Sequence, residues 1–135
     1  MQEHIQNELA SFIANCDWEK IAPHFKEDAA YRVLDWIGCA VAGEHYPQVE
    51  IAQKYFIENG DQGNSTVIGH QTKCSPRTAA FLNGIAGHVC ELDDGHRTAI
   101  GHPGSIAVPT ALALGEHLNA SGADVLKAVI LGYEV

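Results

Sequence analysis

The sequence predicts an all-α fold of several packed helices with at most one short strand. Three observations carry this. Apolar residues recur every three or four positions along most of the 135 residues. Residues suited to capping stand where those runs begin, and glycines stand where several of them stop. A single segment, residues 64–69, is β-prone and bounded by glycines; it reads as one strand or an extended connection.

Taken in order, Ile5, Leu9, Phe12 and Ile13 mark one face of a first helix. Phe25, Ala29, Val33, Ile37 and Val41 recur every four residues and form a stripe on a second. Gly43 follows and suits the left-handed position that ends a helix. A third helix opens near Pro47, carries Val49, Ala52 and Phe56, and stops at Gly60. Residues 61–76 break the pattern. Ser75 and Pro76 read as an N-cap and a proline at the first helical position, and the helix they open runs through Ala79, Leu82, Ile85, Ala86 and Val89. Residues 91–104 are polar and hold three glycines, which predicts a loop. Apolar residues return over 106–118, with Pro109 at the start of a helix or tolerated in its first turns. Ser121 and Asp124 resemble a capping box, with Asp where Glu or Gln is usual, and Val125, Ala128, Val129 and Leu131 follow on one side. Residues 132–135 end in mid-pattern without a stop signal, so a C-terminal continuation is expected.

The length is that of one domain, residues 1–135, and 46% apolar residues suffice for a core. Charged residues, at 19%, fall below the usual quarter, which points to a large buried fraction or a buried interface. A net charge of -9 with eight Lys and Arg excludes the basic stripe of a nucleic-acid binder and disfavours an anionic membrane surface. The N-terminus has no basic lead before an apolar run, so it is not a signal peptide, and no apolar stretch reaches the ~18 residues of a membrane span. A cytoplasmic protein is expected. Cys16, Cys39, Cys74 and Cys90 form no CxxC pair and match no zinc-finger spacing. Cys39 and Cys90 sit in apolar helical patterns, where a free thiol acts as a small hydrophobe.

Chemistry concentrates in residues 87–104, GHVCELDDGHRTAIGHPG, which hold three histidines, three carboxylates and one arginine. Histidine gains and loses a proton near neutral pH, a neighbouring carboxylate orients it, and glycines admit a small ligand close to the backbone. Two chemical readings compete with an ordinary polar loop of capping acids and solvated histidines. In one, His102 is a general acid or base supported by carboxylates, without metal. In the other, His88, Asp93, Asp94, His96 and His102 supply ligands to a divalent metal, although no HExxH-type signature is present.

The ordered motifs AAFLNG at 79–84, AGH at 86–88, ELDDGH at 91–96, HPG at 102–104 and VPTALA at 108–113 resemble the MmgE/PrpD family. LDWIG at 34–38 with Ala42-Gly43, STVIG at 65–69 and GYEV at 132–135 agree, so the resemblance covers nearly the whole chain from about Ile21. It implies the N-terminal helical part of an enzyme whose second, α/β lid domain is encoded later in the chain. It also implies lyase or isomerase activity on small di- and tricarboxylates: dehydration of 2-methylcitrate, decarboxylation of cis-aconitate or epimerisation of iminodisuccinate. Such enzymes need no metal or organic cofactor and usually form homodimers. Their active-site positions map onto Glu91, Gly95 and His102. Aspartate is commoner at the first and threonine at the second, so this chain has a longer acid and lacks a hydroxyl, which leaves the particular substrate open.

From these residues His102 is the expected proton-transfer group, with Asp93 or Glu91 orienting it or the substrate. Gly95, Arg97 and His96 are the substrate-side candidates: Arg97 as a carboxylate grip, His96 alternatively as support for the loop. Asp94 is expected to cap. An acidic chain with one arginine near the cluster repels a polycarboxylate, so further cations are expected from later segments, and the isolated chain should be inactive. The alternatives are a helical interaction module or pseudoenzyme remnant, which would present apolar surface to a partner, and a metal-dependent hydrolase.

Overall fold

The computed structural model describes the backbone of residues 2–135 and the side chains from residue 4. Six helices dominate: α1 (Gln2–Ala14), α2 (Pro23–Gly43), α3 (Pro47–Glu58), α4 (Pro76–His88), α5 (Gly104–Leu118) and α6 (Gly122–Glu134). The short strands β1 (Ser65–Thr66) and β2 (Lys73–Cys74) form one antiparallel pair, Ser65 opposite Cys74 and Thr66 opposite Lys73. The mainly helical fold predicted from periodicity is the observed one. Helix α4 lies at the centre, against α2, α3 and α5, while α6 packs on α5 and α2. One core cluster joins Ala29, Trp36, Ala40, Val49, Ala86, Val108 and Val129 from five helices. A second gathers Val67, Cys74, Ala79, Leu82 and Ala113 beneath the strand pair.

Helix α1 forms where expected, but Ile5, Leu9, Phe12 and Ile13 all remain exposed, so its apolar face is not covered here. A single 3-10 turn, Trp18–Lys20, follows, capped by the Asp17 carboxylate. In α2 the predicted stripe holds in its middle, where Ala29 is buried and Val33 and Ile37 pack against the core, and is wrong at both ends: Phe25 and Val41 are exposed, while Trp36, Cys39, Ala40 and Gly43, off the row, are buried. A repeat of four exceeds the 3.6-residue turn, so that row drifts by about 40° per step and leaves the core. Gly43 is not a left-handed cap. It is the last residue of α2, and a Cβ there would collide with the Ala86 carbonyl of α4, so glycine is what lets the two backbones meet. The helix ends that do turn left-handed are Gly60 after α3 and Asn119 after α5.

The strand pair is pinned from two sides. Glu116 of α5 accepts hydrogen bonds from the Thr66 amide (2.6 Å) and hydroxyl (2.8 Å) and pairs with Lys73. Asn83 of α4 accepts from the Ile68 amide (2.8 Å) and donates to the Thr66 carbonyl (2.9 Å). Ser75 caps α4 by accepting from the Thr78 amide, with Pro76 in the first turn, as predicted. That helix closes at His88, so Val89 is its C-cap and Cys90 lies in the turn beyond, not within a helix. Pro109 sits buried past the first turn of α5, where it leaves the Ser105 carbonyl without its helical donor. The Ser121–Asp124 capping box opens α6 with both reciprocal bonds made. The inward face of α6 is Leu126, Val129, Ile130 and Tyr133; Ala128 faces solvent, one position off the predicted side.

No described helix is long and apolar enough to cross a membrane. The four cysteines are free thiols. Burial pushes the Cys39 and Cys74 thiols up from their ordinary value, which disfavours the nucleophilic thiolate and fits their packing role.

Candidate active site

Helix α4 ends on His88, and the chain must turn back at once. Glu91 supplies the reversal at φ +50, its amide donating to the His88 carbonyl at 2.8 Å. Asp93 thereby returns beneath His88. Asp94 accepts from the Gly104 amide at 3.0 Å, which caps α5, and lies 3.6 Å from Arg32 Nη1 of α2. Tyr133 of α6 lies against Asp94; burial first, and this neighbour second, push its phenol up to about 12. Between these anchors a small loop closes on itself, the His96 amide donating to the Gly101 carbonyl at 2.8 Å. The loop delivers His102 immediately before α5.

Three side chains meet. His88 Nδ1 lies 3.1 Å from Asp93 Oδ1, and His102 Nδ1 lies 3.3 Å from Asp93 Oδ2. The two imidazoles tilt against each other with ring centroids 4.5 Å apart. The Ser105 hydroxyl, in the first turn of α5, donates to Asp93 Oδ2 at 2.6 Å. Asp93 has no exposed side-chain surface, whereas the rings are 44% and 38% exposed, so the carboxylate lies behind two accessible imidazoles. Burial alone raises the Asp93 carboxyl pKa. The hydrogen bonds from Ser105 and His88 and the charges of both histidines outweigh it, and the net shift is downward. Asp93 is therefore ionised at neutral pH. His102 Nδ1 is within ion-pairing distance but poorly aligned, and it is a buried polar atom with no hydrogen-bond partner.

Of the residues predicted from sequence, His102 and Asp93 come together. Glu91 does not join them; it is exposed on the turn it creates. Gly95 sits beside His102, where an added Cβ would lie 4.0 Å from His102 Cε1. His96 is exposed and its Nδ1 accepts from the Ala99 amide at 3.0 Å. Arg97 is exposed and makes no ion pair among the described residues. Asp94 caps, as expected. Of the five-residue metal set only His88, Asp93 and His102 converge, with one donor atom from each lying within 4.8 Å of the others. Sequence reasoning missed Ser105 entirely and gave His88 only a ligand's part. A groove of about 660 Å³ runs beside the two rings, walled by Phe81, Ile85, Ile106 and Pro109 of α4 and α5.

This arrangement can hold two imidazoles in one tautomer. A lone pair on either Nδ1 would face a carboxylate, so the arrangement favours the Nδ1–H tautomer with Nε2 as acceptor, through a hydrogen bond at His88 and through the nearby charge alone at His102.

The profile of the MmgE/PrpD N-terminal domain matches residues 7–135. The chain is 31% identical, over 97% of its length, to a cis-aconitate decarboxylase-like protein, oryM, of Aspergillus oryzae. It is 34% identical, over 76% of its length, to cis-aconitate decarboxylase from Homo sapiens and to that from Mus musculus. It spans 29% of the fungal protein and 22% of each mammalian one. With the matched profile covering nearly all of the sequence, and with the histidine cluster built from the motifs that carry the likeness, this chain belongs to the MmgE/PrpD enzyme family as its N-terminal helical domain.

Proposed function

We propose that this segment supplies the proton-transfer part of a lyase or isomerase that acts on small di- or tricarboxylates without a metal or organic cofactor. The carrying observation is the buried, ionised Asp93 behind His88 and His102. Decarboxylation breaks a C–C bond, leaves the electron pair on a substrate carbon and needs a proton delivered there. Dehydration and epimerisation begin with a proton removed beside a carboxylate. In either direction His102 Nε2 exchanges the proton, and Asp93 orients the ring and stabilises its cationic form. The relatives named as cis-aconitate decarboxylases favour the decarboxylating variant. Glu91 and Gly95 form the substrate-side rim, Gly95 leaving room beside His102; Arg97 meets a carboxylate and His96 holds the rim loop.

A polycarboxylate needs cations, yet Arg32 is occupied by Asp28 and Asp94, and the net charge is -9. The lid and a homodimer partner are the proposed sources of the missing positive charge, and the 135 residues alone should not turn over substrate.

Replacing the matching segment of human cis-aconitate decarboxylase with residues 7–135 and following CO2 release from cis-aconitate tests the proposal. His102→Ala in that chimera should cost at least ~10²-fold in rate, the lower range for a positioned acid or base. An active chimera that tolerates the substitution removes His102 from the chemistry.

A further inference from the structure

We infer that His88, Asp93 and His102 also form a binding site for a divalent transition-metal cation, Zn2+ above all, and that occupancy switches the base off. The second half rests on the proposed role of His102; the binding itself does not, and the two fail separately.

Donor chemistry and spacing argue for binding. Two imidazoles and one carboxylate are a usual three-ligand zinc set that leaves a fourth position open. Zinc bonds to nitrogen and oxygen of about 2.0–2.2 Å in a tetrahedron set neighbouring ligand atoms roughly 3.3–3.6 Å apart. His88 Nδ1 and His102 Nδ1 lie 3.2 and 3.3 Å from the same oxygen, Asp93 Oδ2, near those edges, and one donor atom from each of the three residues lies within 4.8 Å of the others, so the two rings must draw together by up to roughly 1 Å to close on the ion. The ligand set is also prepared. Ser105 donates to Asp93 Oδ2 and fixes the carboxylate from behind, as outer-shell partners of metal ligands do. His102 Nδ1 is buried and lacks a hydrogen-bond partner, which is a nitrogen better satisfied by a cation than by the misaligned contact it has. Both rings are partly exposed while His102 Nδ1 and Asp93 are buried, so the ion enters as the rings turn outward. Asp94 and His96 stay outside the site, committed to Gly104 and Ala99.

Occupancy changes the tautomer. Zinc takes the Nδ1 lone pair, so the proton of each neutral ring moves from Nδ1 to Nε2, and an imidazolium releases one proton to solvent. A ring with Nε2 protonated has no lone pair left to accept substrate's proton, and to deliver its proton it would have to become an imidazolate, so it is a far poorer donor than the imidazolium it replaces. The site is thus an inhibitory one, in which the cation and Asp93 compete for the same two nitrogens.

The test is a titration of the 15N-labelled chain with ZnCl2, read in long-range 15N–1H spectra of the rings, beside Asp93→Asn and His88→Gln. In the unsubstituted chain His88 and His102 should switch from Nδ1–H to Nε2–H, complete near one equivalent. Either variant, once its amide spectrum matches the parent, should need at least tenfold more zinc. Rings unmoved at two equivalents overturn the proposal. So does an equal response in both variants, which would assign the zinc to others of the eight histidines. Metal-free CO2 release by the chimera reports on the catalytic reading independently.

Discussion

Removing a carboxylate from water costs several kcal/mol unless its neighbours offset the loss. Asp93 meets that condition with the Ser105 hydroxyl and two imidazole edges, and its lowered carboxyl pKa expresses the balance. The folded carboxyl titrates below the ordinary value of 3.8, so its stabilising contribution is full above that value and is lost as pH falls through the folded one. Comparing parent and Asp93→Asn in urea between pH 2 and 5 should therefore show a stability gap that is widest at the upper end and narrows with acid. A gap that widens on acidification contradicts the downward shift. Ser105→Ala should cost about 1.5–3 kcal/mol at neutral pH, the worth of a hydrogen bond to a charged group, seen as a lower urea midpoint at unchanged slope. His102 and Asp93 were legible in the sequence because titratable groups crowd one polar loop. The pairing of His88 with Asp93 was not, since it depends on a non-glycine residue, Glu91, taking a left-handed backbone that no motif announces. Ser105 was hidden for another reason: a serine after a proline–glycine pair reads as an ordinary helix start.

At the level of elements, caps and breakers translated well. Ser75–Pro76, the Ser121–Asp124 box and Gly60 stand where the chain needs them. Faces translated less well, because a face is decided by what packs on it. The four-residue row on α2 is the instructive case. Val41 lies on that row and is exposed, whereas Trp36 lies off it and is buried against α4. Val41→Ala should then change stability by under about 0.5 kcal/mol, while Trp36→Ala should cost about 3–5 kcal/mol. Gly43→Ala should destabilise by about 1–3 kcal/mol or more, since a Cβ there drives α2 away from the Ala86 carbonyl. Thermal or urea unfolding of the three variants checks the ranking, and a Val41 effect equal to that of Trp36 would restore the sequence-derived stripe. The strand pair was half visible: residues 64–69 read as extended, but β2 is too short and too polar to stand out, and its Lys73 is held by Glu116, 43 residues further along the chain.

For the whole molecule, charge and uncovered apolar surface tell one story. Phe12, Leu34, Ile51, Phe81 and Ile106 are all exposed, and the acidic net charge opposes an anionic substrate. Both features suit a domain that works against other protein surface, and the chain covers under a third of the relatives it matches. Incubated alone with cis-aconitate or other small polycarboxylates, it should release no product above background. Turnover would show that the site needs no cations from elsewhere. Underneath lies the claim that one buried carboxylate sets the protonation pattern of two imidazoles. Long-range 15N–1H spectra of the metal-free chain at a pH where the rings are neutral read that pattern directly. His88 and His102 should both appear as Nδ1–H tautomers, and both should lose that preference in Asp93→Asn; Nε2–H tautomers in the unsubstituted chain would contradict it.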